Sequence, residues 1–343
     1  MSIGLFTSSS QTIRSVKAKI FLSRFQEQVL SMLAPEIRQL VGQLPERVVD
    51  ELEEIRLRQS RPLILRVGQH DLGLLPDGRL SPDLERSYRV SAEDMHKTLQ
   101  LLSNSSVYAL EEEFRNGYIT VRGGHRIGLV GRVVMDKGRI KTLKHIAGLN
   151  FRIARQVIGA ADPVMPFLLS PGEARPYHTL IISPPQCGKT TLLRDIIRQM
   201  SNGVPRLNFP GVNVAVVDER SEIAGCYEGV PQHDVGIRTD VLDNCPKAEG
   251  MVMVIRSMSP QIIATDEIGR AQDVSAIEDI LSAGITLVTT VHGRSLAELE
   301  QRPALRSLLG QRIFERYVIL SRRRGAGTVE AVIDAKSLKT LSG

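Results

Sequence analysis

The sequence is 343 residues long, which predicts two domains, each large enough to bury a hydrophobic core. Hydrophobic residues make up 42% and charged residues 24%, so the composition excludes bulk disorder, collagen-like structure and low-complexity architecture. The formal net charge is +6, and the three cysteines lack C-x-x-C spacing, which excludes a disulfide framework or a four-cysteine zinc site and favours a reducing, cytosol-like compartment.

The N-terminal half predicts an α+β domain over residues 21–158, preceded by a flexible basic tail over residues 1–20. The start of the chain carries basic but no acidic side chains, a composition shared by transit peptides and mobile basic tails. Apolar residues at three- and four-residue spacing predict a helix near residues 20–40, and Ser91 is placed to cap a second helix. The strands predicted here are 62–67, 118–121 and 127–134.

A segment rich in Pro and Gly over residues 159–176 is predicted to connect this domain to a second one over residues 177–343. Strands alternate with helices in the second domain, which predicts an α/β fold with a parallel sheet covered by helices on both faces. The predicted strands are 179–182, 212–217, 262–264, 285–291, 317–320 and 329–333, and the predicted helices are 191–200, 272–283 and one that begins at Ser295.

Most of the charge imbalance is local. The window 115–155 holds ten basic side chains and one acid, Asp136. Such a cluster predicts a polyanionic partner at one surface. A nucleic acid is the less favoured partner, because few aromatic side chains lie in or beside the window to stack on bases. Salt-dependent binding to DNA or RNA is the test of that alternative.

The strongest chemical signal is a phosphate-binding loop between an apolar strand and an amphipathic helix. Its pattern is GxxxxGK[ST], with Ser183 where the first Gly stands. Backbone N–H groups of such a loop bind phosphate oxygens, Lys189 neutralises β/γ charge and Thr190 offers a hydroxyl to Mg²⁺. A positive φ at Ser183 would cost about 1–2 kcal/mol. The predicted ATP-binding residues are Ser183, Pro184, Pro185, Gln186, Cys187, Gly188, Lys189, Thr190 and Thr191.

Acidic residues follow a later strand of the same predicted sheet. Asp266 and Glu267 come directly after residues 262–265, so they are expected beside the phosphate loop, at the carboxyl edge of the sheet. Asp266 is predicted to hold Mg²⁺ and Glu267 to orient and deprotonate the attacking water. With the loop, this pair predicts a P-loop NTPase domain of the RecA/AAA-like type.

Two further strand ends carry polar side chains. His292 ends the strand at 285–291 and could sense the γ-phosphate, or it could be an ordinary surface histidine. Asp218 and Glu219 end the strand at 212–217, and either contact the nucleotide or cap a following helix.

With these elements in this order, the sequence resembles the stage III sporulation protein AA family, which in turn resembles the ATPases of type II and type IV secretion systems. The matching segments are 106–108, 117–118, 123–128, 217–223, 238–247, 258–270 and 289–293. In secretion ATPases the acidic box corresponds to residues 218–222, the Walker B region to 265–270 and the histidine box to 289–292. The sequence departs from the Walker A pattern at Ser183 and from a fully apolar Walker B strand at Thr265.

The resemblance implies a cytoplasmic, hexameric ATPase ring that docks onto a membrane-embedded channel complex between mother cell and forespore. In such a ring each ATP lies between a P-loop domain and a smaller N-terminal domain, so arginines from outside the loop stabilise transition-state charge. The basic window supplies candidates, first Arg126 in the loop predicted over 122–126 and second Arg152. The remaining alternative is a scaffold that binds ATP with little hydrolysis.

Overall fold

The computed structural model describes residues 25–103, 111–173 and 175–342 and divides into two compact units, Met1–Arg155 and Gln156–Gly343. The predicted basic tail, the first residues of the helix predicted over 20–40 and the segment 106–108 lie outside the described residues. Within the described parts of the chain, no helix combines the length and the hydropathy needed to span a bilayer.

Unit 1 is built on a sheet with the strand order β4-β3-β2-β1-β7-β6-β5, in which all neighbours are antiparallel. The strands are β1 (Leu52–Arg58), β2 (Ile64–Val67), β3 (His70–Leu74), β4 (Leu80–Ser81), β5 (Tyr118–Val121), β6 (His125–Asp136) and β7 (Arg139–Arg152). The helices are α1 (Pro35–Gly42), α2 (Glu46–Glu51), α3 (Ala92–Leu102) and α4 (Glu111–Asn116). Buried apolar side chains of helices and strands form one core, which includes Leu33, Ile37, Leu57, Ile127 and Phe151.

Two helix predictions in unit 1 have different outcomes. Ser91 caps α3 as predicted: its Oγ accepts from the Asp94 backbone N–H at 3.0 Å, and Asp94 accepts from the Ser91 N–H. The helix predicted near residues 20–40 is interrupted in the described residues. A short 3₁₀ turn at Leu30–Met32 precedes α1, which begins at Pro35 because proline has no N–H to donate to the preceding turn.

Strands β6 and β7 extend beyond the sheet as a two-stranded arm, residues 131–147. β5 pairs with β6 only as far as Gly128, and β1 pairs with β7 only from Gly148 onward. Positive φ angles at Lys137 (+47°) and Gly138 (+77°) make the tight turn at the tip of the arm. Several of the basic side chains predicted in window 115–155 lie on this arm, together with three apolar side chains that are 45–57% exposed, Val133, Met135 and Ile140.

Unit 2 is an eight-stranded sheet with the order β10-β9-β11-β12-β8-β13-β14-β15 in the described residues, parallel from β10 to β13 and antiparallel beyond. The strands are β8 (Thr179–Ser183), β9 (Val214–Asp218), β10 (Thr239–Asp243), β11 (Ile262–Thr265), β12 (Thr286–His292), β13 (Arg316–Ser321), β14 (Thr328–Asp334) and β15 (Thr340–Ser342). The helices are α5 (Met165–Leu168), α6 (Lys189–Asn202), α7 (Lys247–Met258), α8 (Ala271–Ser282), α9 (Leu296–Leu299) and α10 (Pro303–Gly310).

Helices cover both faces of this sheet, as the alternating pattern predicts. On one face α6 packs through Leu193 and Ile196 against Val216, and on the other α7 and α8 pack through Met251 and Ile277. Burial on both faces explains why β8, β9 and β11 are buried along their whole length. The predicted α/β fold class is therefore confirmed.

The segment 159–176, predicted as an interdomain connection, contributes to the core of unit 2. Its residues Ala161, Val164, Met165 and Leu168 are fully buried in the same cluster as α6. The Ala161 backbone N–H also donates to the buried carboxylate of Asp195, at 2.8 Å. The division between the units falls before this segment, after Arg155.

Candidate functional site

Four neighbouring parallel strands end in polar residues at one edge of the unit 2 sheet. In spatial order they are β9, which ends at Asp218; β11, followed by Asp266 and Glu267; β12, which ends at His292; and β8, which ends at Ser183. His292 lies directly opposite Ser183 in the β12–β8 register. The ends lie side by side at the carboxyl edge because of the spatial order of the strands in the sheet, which differs from their order in the sequence.

The phosphate loop connects β8 to α6. Ser183 is the last residue of β8, is fully buried and donates its hydroxyl to the Pro184 carbonyl at 2.8 Å. The positive φ angles lie further on, at Gln186 (+58°) and Gly188 (+85°). The strain considered for Ser183 therefore does not arise there, and serine is accommodated as a strand residue.

Gly188 is fixed by close packing as well as by its φ. A Cβ at this position would lie 3.0 Å from the backbone nitrogen of Gly327. Gly327 in turn donates its N–H to the Cys187 carbonyl at 2.8 Å. The connection between β13 and β14, residues 322–327, thus packs directly on the phosphate loop, and Arg322 Nη1 lies 3.5 Å from Gln186 Oε1. No local pattern in the sequence predicts this contact, because it joins residues 136 positions apart.

Helix α6 begins with the two residues predicted to serve the phosphates and the metal. Lys189 is largely buried, and its Nζ lies 4.0 Å from Glu267 Oε1. Thr190 donates its hydroxyl to Asp266 Oδ2 at 2.6 Å. The helix N-terminus leaves backbone N–H groups without helical partners, and these favour a bound anion.

Thr290 of β12 holds Asp266 and Glu267 in place. Its hydroxyl donates to Asp266 Oδ1 and accepts the Glu267 backbone N–H, the latter at 2.9 Å. Glu267 has a φ of +60°, a left-handed conformation that costs a non-glycine residue about 1–2 kcal/mol. Strained backbone at the residue predicted to act on water is typical of functional sites.

The Glu267 carboxylate is surrounded by cationic or protonatable side chains. His292 Nε2 contacts Oε1, Arg220 Nη1 lies 3.1 Å from Oε2, and Lys189 is the third neighbour. His292 Nδ1 is buried and has no hydrogen-bond partner among the described residues. The structure thus brings together the predicted base and the predicted γ-phosphate sensor.

Thr265, the polar exception in the predicted Walker B strand, is fully hydrogen-bonded across the sheet. Its hydroxyl donates to the Val217 carbonyl at 2.9 Å, and its own carbonyl accepts the Thr289 hydroxyl at 2.8 Å. The three residues tie together β9, β11 and β12 just below the site. The departure from an apolar strand therefore stiffens the edge that carries Asp266 and Glu267.

Asp218 organises the turn after β9. Its carboxylate accepts backbone N–H groups of Glu222, Ile223 and Ala224, each at 2.9 Å. The side chain is 2% exposed, and burial raises its pKa to about 6 against the lowering effect of these hydrogen bonds. The helix predicted to follow is absent, since residues 219–224 form a turn. Both carboxylate oxygens serve that turn.

Glu219, the next residue, belongs to a network that sequence reasoning missed. Lys247 Nζ lies 2.8 Å from Glu219 Oε2 and donates to the Glu267 carbonyl at 3.1 Å, while Arg270 lies 3.8 Å from Glu219 Oε1. No helix was predicted over 247–258, and the matching segment 238–247 ends at this lysine without assigning it a role. A small cavity is lined by Asp218, Glu219, Arg220, Glu222, Lys247, Asp266 and Glu267.

The oxygen ligands at this edge fit Mg²⁺. Thr190 and Asp266 bring a hydroxyl and a carboxylate together, and no group of three or more His, Cys, Asp or Glu side chains in the described residues could enclose a metal alone. Mg²⁺ is usually held by one or two protein oxygens, with phosphates and water completing the octahedron. The donor set therefore suits a metal that arrives with a nucleotide.

The two candidate arginines of unit 1 lie on neighbouring strands. The prediction of a loop through Arg126 is wrong: Gly123 and Gly124, both with positive φ, complete the turn, and β6 starts at His125. Arg126 is half-buried over the Tyr118 ring, 3.5 Å from its centroid, and is paired in register with the exposed Arg152 of β7. The two side chains therefore share one face of the sheet.

Comparison with known proteins confirms the resemblance drawn from the motifs. A family model described as sporulation stage III, protein AA, matches residues 23–340. Stage III sporulation protein AA of Bacillus subtilis is 46% identical over 308 residues, covering 90% of this chain and 94% of that protein. The uncharacterized protein ycf45 of Porphyra purpurea is 26% identical over 89% of this chain, which spans about half (49%) of that protein.

Among solved structures, the ATPase DotB of Yersinia pseudotuberculosis aligns with a TM-score of 0.54. The sequence identity is 13%, and the alignment covers 84% of this chain and 75% of that one. At this identity the likeness shows a shared fold.

Proposed function

The chain belongs to the sporulation stage III protein AA family, and we propose that it is a Mg²⁺-dependent motor ATPase that hydrolyses ATP to ADP and phosphate. In this proposal it works in the cytoplasm and energises assembly of, or transport through, a channel complex between mother cell and forespore during endospore formation.

The observation that carries the proposal is the convergence of five side chains at one sheet edge. Lys189 and Thr190 come from the phosphate loop, Asp266 and Glu267 from the end of β11, and His292 from the end of β12. Direct contacts join them: Thr190 to Asp266, His292 to Glu267, and Lys189 within 4.0 Å of Glu267. This is the set of groups that phosphoryl transfer to water requires.

Each group has a role that its position supports. Loop N–H groups, Gly188 and Lys189 bind the β- and γ-phosphates, with Thr191 in the same first turn of α6. Thr190 and Asp266 hold the metal, and Mg²⁺ supplies neutralisation of phosphate charge when bound. Glu267 orients the attacking water and accepts its proton, and His292, in contact with Glu267, reports the state of the γ-phosphate.

Ring assembly is part of the proposal. Transition-state charge is stabilised by an arginine from a neighbouring copy, Arg126 in the first place and Arg152 in the second, within a hexamer. The register pairing of these two arginines supports a shared cationic face. The membrane partner is then a component of the channel complex.

Turnover of Mg-ATP by the purified full chain tests the activity. We expect Lys189→Ala and Glu267→Gln each to lower kcat by roughly 100-fold or more, because they remove phosphate binding and the general base. Glu278→Gln, an exposed glutamate on α8, is the matched control and should keep wild-type turnover. Unchanged turnover in both site variants would remove the proposal.

Mass by light scattering, with and without ATP, tests the ring on the same sample. Turnover that rises with assembly and falls in Arg126→Ala at full assembly supports an arginine acting between copies. A stable oligomer that binds ATP and does not turn it over would favour the scaffold.

A further inference from the structure

Lys247 is a lysine that the structure buries within the acidic edge of unit 2. Its side chain is 9% exposed, and lysine is almost never buried without partners. Its Nζ bridges two strand ends: it lies 2.8 Å from Glu219 Oε2, after β9, and 3.1 Å from the backbone carbonyl of Glu267, after β11. Because β9 and β11 are neighbours in the sheet, the ammonium group links the ends of two adjacent strands.

Lys247 is hydrogen-bonded to a residue with a strained backbone. Outside the phosphate loop, Glu267 is the one predicted catalytic residue with a positive φ. Glu267 adopts φ +60°, and two hydrogen bonds hold this conformation, one on each side of the residue. Thr290 Oγ1 accepts its N–H at 2.9 Å, and Lys247 donates to its carbonyl at 3.1 Å. Each of these bonds restrains a backbone conformation that is disfavoured for a non-glycine residue.

Lys247 has little freedom to act elsewhere. It is the first residue of α7, and the buried apolar side chains of that helix, Met251 and Val254, pack into the core of unit 2. At the other end of the side chain, the ion pair with Glu219 holds the ammonium group in place. A lysine offers three donors that can serve a carboxylate and a carbonyl together, which a methionine of similar length cannot do.

We propose that Lys247 is a positioning residue that holds the Glu267 backbone in its left-handed conformation, and so places the Glu267 carboxylate for its work on the attacking water. The proposal rests on the ATPase activity proposed above. It assigns Lys247 no contact with the nucleotide and makes Glu219 the anchor of its ammonium group.

Hydrogen exchange of the full-length, nucleotide-free protein tests the positioning without reference to turnover. In Lys247→Met the amides of residues 267–270 should exchange at least about fivefold faster than in the wild type, because the turn that carries Glu267 loses one of its restraints. Lys336→Met, an exposed lysine of unit 2, is the control and should leave these amides unchanged. Unchanged exchange in Lys247→Met overturns the proposal, whether or not the protein hydrolyses ATP.

A kinetic cycle tests the consequence for Glu267. Lys247→Met should lower kcat about 10- to 100-fold with less than about a threefold change in KM, and Lys247→Arg should restore part of the loss. In the Glu267→Gln background, Lys247→Met should cause no further loss, because the group it positions is gone. Equal losses in both backgrounds, or a loss confined to KM, contradict the positioning role. Absence of turnover in the wild type would overturn the ATPase proposal itself. The hydrogen-exchange result would then determine by itself whether Lys247 positions the Glu267 backbone.

Discussion

The carboxyl edge of the unit 2 sheet and the arm of unit 1 are both rich in charge, yet the structure treats their charges in opposite ways. At the edge, Asp218 and Lys247 are buried. Asp218 accepts three backbone N–H groups at 2.9 Å, and Lys247 Nζ lies 2.8 Å from Glu219 Oε2 and 3.1 Å from the Glu267 carbonyl oxygen. On the arm, Arg132 and Lys144 lie opposite each other in register and are exposed to solvent.

The effect of a charged side chain thus depends on its local environment and not on how many charges lie nearby. Buried charges need partners, since an unpaired ion in a low-dielectric interior is very costly, so the edge residues lock one another into a single geometry. Exposed charges are hydrated and screened, so the arm residues fix little. Three measurements test this contrast.

Substitution of Asp218 should change stability most. Asp218→Ala removes the buried carboxylate that accepts three backbone N–H groups of the turn at 222–224. We expect this loss to lower the free energy of unfolding by about 3–5 kcal/mol. Asp240→Ala, at an exposed position of β10, is the matched control and should change stability by less than about 0.5 kcal/mol. Urea unfolding of both variants measures the difference. Equal stability would mean that the turn finds other acceptors.

A second measurement concerns a buried group of unit 1. His125 is 4% exposed, its Nδ1 accepts the Ala154 N–H at 3.0 Å, and burial lowers its pKa to about 4. In the unfolded chain His125 takes up a proton near pH 6.5, whereas in the folded state it stays neutral until about pH 4. The free energy of unfolding therefore falls as the pH falls from about 6.5 to 4, by up to about 3 kcal/mol.

Urea unfolding between pH 4 and 8, with hydrogen exchange of β6 and β7 peptides to follow unit 1, measures this loss. His125→Gln does not titrate in this range and should show a shallower pH dependence than the wild type. Parallel curves for the two proteins would mean that His125 is accessible to protons in the folded state.

Substitutions on the arm should change stability least. Met135→Ser removes an apolar side chain that is 57% exposed, so we expect a change in unfolding free energy below about 0.5 kcal/mol. Leu149→Ala, on the same pair of strands but 2% exposed, should cost about 2–5 kcal/mol. A large loss in Met135→Ser would show that the arm's apolar side chains are covered in solution.

Much of unit 2 was predictable because its signals are local. The strand before the phosphate loop and the helix after it follow from apolar spacing, and Lys189, Thr190, Asp266 and Glu267 follow from motifs a few residues long. Elements whose pattern is weaker were missed, among them β10, α7 and α10. Lys247 is the first residue of α7, so this site residue was missed together with the helix.

Local sequence patterns were enough to predict which side chains stand at the ends of strands, because that depends on neighbours along the chain. The strand order β9-β11-β12-β8, the Lys247 bridge and the packing of residues 322–327 on the phosphate loop could be seen only in the folded protein. These contacts join residues from 20 to 140 positions apart. Their energies arise from burial and hydrogen bonds that exist only once the sheet has formed, so no local pattern records them.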